Sequence, residues 1–110
     1  MEKERKMSPR QRPTLSFQIA ALQRGETVQI HPHGQSMRPK VRDGARVTVA
    51  PCRTDDLKVG DIVLVRVRGR VYLHLIKAVE GRRFLIGNNY GGINGWVGPQ
   101  AIYGIATRIE

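Results

Sequence analysis

The sequence predicts a mostly β domain with one short N-terminal helix, built as a small antiparallel barrel-like sheet or as two packed sheets. Three observations carry this expectation. Six segments are rich in β-branched residues and alternate in polarity, glycine-containing links join several of them, and only one stretch has helical spacing. A chain of 110 residues has room for one domain. Its 40% hydrophobic and 25% charged residues are those of a chain that folds around a core rather than a disordered one.

Residues 1–13 are charged, hold two prolines and lack apolar periodicity, so they are expected to form a flexible basic tail, with residues 14–110 as the single folded domain. From Thr14 to Arg24 the residues Leu15, Ile19 and Leu22 recur at helical spacing. Thr14 or Ser16 is placed to start this amphipathic helix, and Gly25 to stop it. The strand patterns then run 27–30, 45–49, 62–67, 71–76, 83–86 and 102–106. Arg68-Gly69-Arg70 and Glu80-Gly81-Arg82 read as the turns of two hairpins. Gly87 to Trp96, rich in glycine and asparagine, reads as a loop.

The formal charge of +10 suggests an anionic partner: nucleic acid, a membrane face or an acidic protein. Residues 1–24 contribute six cations against two acids, and the rest of the excess is spread along the chain. Aromatic residues are 5% of the chain and are not interleaved with Lys or Arg as a base-stacking surface requires, so specific DNA binding is not expected. A basic nucleic-acid module remains the weakest of the alternatives. Cys52 is alone, which excludes an intrachain disulfide and a thiolate zinc cluster and fits a reducing compartment. Neither a signal peptide nor a run of about 20 apolar residues is visible, so a cytoplasmic protein with at most peripheral membrane contact is expected.

Few residues are equipped for chemistry. Ser36 lies in His33-Gly34-Gln35-Ser36-Met37-Arg38-Pro39, a corner between strand patterns that Gly34 and Pro39 shape. Such a serine attacks a carbonyl when a neighbouring base takes its proton; taken alone, it reads first as a turn serine bonded to its own backbone. His74 shares a strand face with Tyr72 and Ile76, while Val71, Leu73 and Leu75 take the other. It has the titration range of a general base, or is a satisfied core histidine. His31 and His33 flank Pro32 without a third metal ligand and read as loop residues.

Taken together, these motifs carry a resemblance. Gly34-x-Ser36-Met37-x-Pro39, Asp43-Gly44-x-x-Val47-x-Val49, Val59-Gly60-Asp61-Ile62-Val63-Leu64, Tyr72-Leu73-His74, Gly87-Asn88-Asn89 and Ile102-Tyr103-Gly104 follow one another in order. In order and approximate spacing the chain resembles the serine peptidase group of type I signal peptidases and self-cleaving SOS repressors. The resemblance runs from about Val28 to Ile105. It implies a mostly β peptidase fold, Ser36 as nucleophile and His74 as base, in the position that holds lysine in bacterial members and histidine in archaeal and endoplasmic-reticulum ones. Lys77, three residues along the strand, falls on the opposite face and is not a candidate base.

The resemblance also marks departures. Histidine-type members carry an acid where Asn88 and Asn94 stand, and asparagine orients an imidazole without offsetting its charge. Ala45 replaces a common acid, and Gly34 supplies no hydroxyl, so the oxyanion falls to backbone N–H groups around Ser36 and Met37. With no Ala-Gly or Cys-Gly pair and too few residues before the β region for a helix-turn-helix, repressor-type self-cleavage is not expected. The expected function is serine endopeptidase action on a separate peptide or protein through a Ser36–His74 dyad. Gly34, Met37, Asn88 and Asn94 are the supporting residues, and no metal or cofactor is expected. The alternative is a peptidase-like domain that binds peptide or protein without cutting it.

Overall fold

A computed structural model describes residues 15–32 and 40–110 of the chain. It holds one helix, α1 (Ser16–Gln23), and seven strands: β1 (Val28–Ile30), β2 (Val47–Ala50), β3 (Ile62–Val67), β4 (Arg70–Glu80), β5 (Arg83–Gly87), β6 (Ile93–Val97) and β7 (Ile102–Ile109). The strands form one antiparallel sheet in the order β1-β2-β7-β3-β4-β5-β6. The mostly β expectation holds, as a single sheet that is not closed into a barrel.

Helix α1 starts at Leu15 without a side-chain cap. It stops in a paired closure: Glu26 N–H donates to Ala21 O at 2.9 Å and Gly25 N–H to Leu22 O at 3.0 Å. Gly25 has φ +90°, a conformation that glycine adopts without strain. Ala21 and Leu22 are buried, but Phe17 stands 79% exposed, so apolar residues are not confined to one face as the amphipathic reading expected. The expected tail, residues 1–13, lies outside the described residues.

The alternation along β3 and β4 places buried side chains on both faces, because the sheet curls and covers itself. On one face Leu64, Leu73 and Leu75 pack with Leu22 of α1, Ile30, Val41, Val47 and Val49. On the other, Val63, Val65, Val67 and Ile76 pack with Leu57, Phe84, Ile86 and Ile102. A Cβ built on Gly95 would lie 3.6 Å from Val67 Cγ1, so edge strand β6 curls back toward β3.

Two-residue turns join the central hairpins. Arg68 (φ 52°) and Gly69 (φ 83°) connect β3 to β4 in the manner of a type I′ turn, and Gly81-Arg82 connects β4 to β5. Four register shifts each leave one residue without a cross-strand partner: Thr107, Tyr103, Lys77 and Asn94. These bulges bend the strands and re-aim side chains.

One glycine is required by close approach. A Cβ on Gly104 in β7 would stand 2.6 Å from Ala50 O, 2.8 Å from Val49 Cγ1 and 3.1 Å from Leu22 Cδ2. Gly104→Ala is expected to lower folding stability by about 3 kcal/mol, read as a reduced midpoint in urea unfolding.

Strand β6 corrects the expectation of an uninterrupted loop from Gly87 to Trp96. Asn94 and Gly95 are poor strand formers and hide the pattern, yet a bulged edge strand tolerates both.

Candidate active site

His74 sits in β4 opposite Val63 of β3, 7% exposed. The Tyr72 ring stacks on it, centroids 4.8 Å apart and planes at 27°. Its Nδ1 lies 2.7 Å from Asn94 Oδ1. A carbonyl oxygen only accepts, so Nδ1 carries the proton and the neutral ring's lone pair falls on Nε2. The ring is thus held by a hydrogen bond at its Nδ1 edge and by an aromatic face.

Asn94 reaches the imidazole because it is the extra residue of a bulge. Ile86 pairs with Gly95 and Gly87 with Ile93, which leaves Asn94 without a partner across the ladder.

Burial pushes the His74 pKa below the ordinary imidazole value, and the Asn94 hydrogen bond offsets part of that shift. The unfolded chain therefore binds a proton at higher pH than the folded one. This group's contribution to stability is full above about pH 6.5 and is lost as pH falls through the depressed folded value. In His74→Gln, the stability difference between about pH 7.5 and about pH 5 is expected to narrow, measured by urea midpoints at both.

The second asparagine has another task. Asn88 Oδ1 accepts from the backbone N–H groups of Tyr90 and Gly92, both at 2.8 Å, and Asn88 N–H donates to Gly92 O at 2.9 Å. Asn88 thus closes the turn that leads into β6 and acts on the loop, while Asn94 alone of the two meets His74. A Cβ on Gly87 would lie 2.4 Å from Gly92 O, so the Gly87-Asn88 pair permits this tight return.

Lys77, the bulge residue of β4, donates from Nζ to Asn88 O at 3.0 Å. A Cβ on Gly87, the partner of Leu75, would stand 3.0 Å from Lys77 Cγ. Lys77 therefore lies on the Leu75 side of the sheet, away from His74. Tyr72 was missed as a site residue; its place two positions before His74 on the same face is the signal that could have found it.

Ser36, Gly34, Met37 and His33 lie outside the described residues. The chain on either side of them is anchored. Gly44 N–H donates to Pro32 O at 2.8 Å, and Val41 is buried in the cluster that contains Leu73 and Leu75, on the face of β4 opposite His74. His31 is exposed. Among the described residues, no group of three or more His, Cys, Asp or Glu side chains is placed to hold a metal ion, and no helix is long and apolar enough to cross a membrane.

Strand β4 has an open stretch beside the imidazole. It pairs with β3 over residues 70–75, but with β5 only from Leu75 onward. Ile76 N–H donates to Asp61 O and Ile76 O accepts from Gly60 N–H, so the even residues direct their backbone groups toward β3 and its approach. Val71 and Leu73 direct theirs to the other side, where no described strand meets them.

Searches of curated proteins and of solved structures each gave no match. The model of the family described as Peptidase S24-like matches residues 8–92. That span takes in the Ser36 motif, β3 and the His74 strand, and stops just short of Asn94. With a peptidase-like β fold, and with the Ser36 motif and the oriented His74 in one matched span, the chain belongs to the Peptidase S24-like family.

Proposed function

We propose that the protein is a serine endopeptidase in which Ser36 is the nucleophile and His74 the general base. The observation that carries this reading is the His74 ring, part-buried, stacked on Tyr72 and held through Nδ1 by Asn94, which leaves Nε2 as proton acceptor. The family match over residues 8–92 takes in both Ser36 and His74, which supports reading them as a pair.

The reaction is acyl transfer. Ser36 Oγ attacks the scissile carbonyl carbon as its proton passes to His74 Nε2, and backbone N–H groups around Ser36 and Met37 hold the oxyanion. The imidazolium then protonates the leaving amine, and water, activated by the same ring, hydrolyses the acyl-enzyme. No cofactor enters these steps.

The open side of β4 at Val71 and Leu73 offers backbone groups to an extended peptide, so the substrate binds as an added strand next to His74. A second reading, a peptidase-like domain that binds without cutting, is favoured by one observation: Asn94 brings no charge to the imidazole.

The test is mass spectrometry of a diverse peptide library incubated with wild type and with Ser36→Ala. Cleavage by wild type and none by the variant is expected. Binding without cleavage by both proteins would favour the second reading.

A further inference from the structure

We propose that Arg70 is a specificity residue that pairs with an acidic side chain four positions along the peptide from the bond that is cut, so that the substrates are acidic peptides. This rests on the assignment of Ser36 and His74 and on peptide addition along β4.

The β3–β4 turn gathers Arg66, Arg68 and Arg70 within five residues, all exposed. Arg66 is committed, donating from Nε to Tyr103 Oη at 2.8 Å and from Nη1 to Gly69 O at 3.2 Å. Six described carboxylates are engaged elsewhere: Glu26 with Arg24, Asp61 with Lys58, Glu80 with Arg83, Glu110 with Arg46 and Arg108, and Asp55 and Asp56 with Arg53. Among the described residues none forms an ion pair with Arg68 or Arg70. Arg68 is also the one described non-glycine residue with positive φ, 52°. Glycine or asparagine takes that position at lower cost, so the turn keeps a cation against its backbone preference.

Arg70, Tyr72 and His74 share one face of β4, and four strand residues span about 13 Å. A peptide laid along the open side of β4 has the same rise and the same alternation. Its residue four positions from the one beside His74 therefore comes to the side of Arg70. That position favours a carboxylate in a protein of net charge +10.

A peptide suits this surface better than a nucleic acid or a membrane. Among the described residues, the aromatic side chains beside the turn are engaged: Tyr72 stacks on His74, and Tyr103 accepts from Arg66 Nε, whose guanidinium lies 5.9 Å from the ring centroid. Val67, the apolar residue that precedes the turn, is buried, so nothing at the tip inserts into lipid.

The test uses positional-scanning peptide libraries in which one position at a time is Glu, Gln or Lys. Binding to the Ser36→Ala protein is measured by fluorescence anisotropy, and cleavage by wild type is measured in parallel. At one position the Glu pool is expected to bind about threefold to fivefold more tightly than the Gln pool. Arg70→Glu is expected to reverse the order so that Lys is preferred, a reversal that a misfolded variant cannot produce.

In the cleavage arm the preferred Glu falls four positions from the cut. Cleavage without that preference overturns the inference and leaves the peptidase reading intact. A Glu preference that reverses in Arg70→Glu, without any cleavage, keeps the acidic-peptide site and removes the peptidase reading. No preference at any position, or one unchanged in Arg70→Glu, overturns the assignment of Arg70. Oligothymidylate or anionic vesicles that bind as tightly as the Glu pool and lose affinity equally in Arg70→Glu also overturn it, in favour of a general polyanion surface.

Discussion

His74→Ala is expected to lower the rate of peptide cleavage by about 10³-fold or more near neutral pH, with little change in the affinity for uncut peptide. General-base catalysis by a positioned side chain supplies about 10²–10⁴ in rate, and here the same ring also returns the proton to the leaving amine. The burial that lowers the His74 pKa keeps the imidazole neutral below the usual range. Wild-type kcat/KM should therefore hold its plateau below about pH 6.5 and fall only as the buried ring takes up a proton. In the alanine variant that acid limb disappears from whatever rate remains. A urea midpoint measured alongside separates lost chemistry from lost fold. An unchanged rate in a folded His74→Ala protein would remove the base from the mechanism.

Asn94→Asp is expected to act in the opposite direction, raising the plateau rate by about tenfold to a hundredfold. The asparagine already supplies orientation and the tautomer, because its Oδ1 accepts from Nδ1–H at 2.7 Å. It lacks the negative charge that steadies the imidazolium formed as Ser36 attacks. Loss of such a carboxylate costs up to about 10⁴ in the serine protease triad, where the amide also imposes the wrong tautomer. Here the tautomer is already correct, so the gain should be a fraction of that. A carboxylate at this distance also favours the charged ring, which raises the His74 pKa and moves the acid limb to higher pH. The pH–rate profiles of the two proteins, taken on one peptide, report both effects. A lower plateau in Asn94→Asp would show that the uncharged amide is itself the working partner.

The β character of the chain is legible because Val, Ile, Leu and Tyr alternate along β3, β4, β5 and β7, and glycine marks the two hairpin turns. The choice between one sheet and two is not, since it depends on how far the sheet curls. That curl comes from bulges at Lys77, Asn94, Tyr103 and Thr107, which no local pattern announces. The face of β4 that carries His74 follows from the alternation with Val71, Leu73 and Leu75. Asn88 and Asn94 look alike in sequence. They diverge in space because Asn88 spends its Oδ1 on two loop N–H groups, whereas a one-residue bulge turns Asn94 inward. Tyr72 shares the His74 face in the sequence, but only the fold shows its ring stacked on the imidazole.

The measurement that bears most directly on the mechanism is acid-quenched mass spectrometry of the protein during turnover of a cleaved peptide. A Ser36–His74 acyl transfer predicts an adduct on the Ser36-containing fragment, equal in mass to the N-terminal part of the peptide, and none in Ser36→Ala. Cleavage of the same peptide by Ser36→Ala at the wild-type rate, with no adduct on either protein, would contradict it.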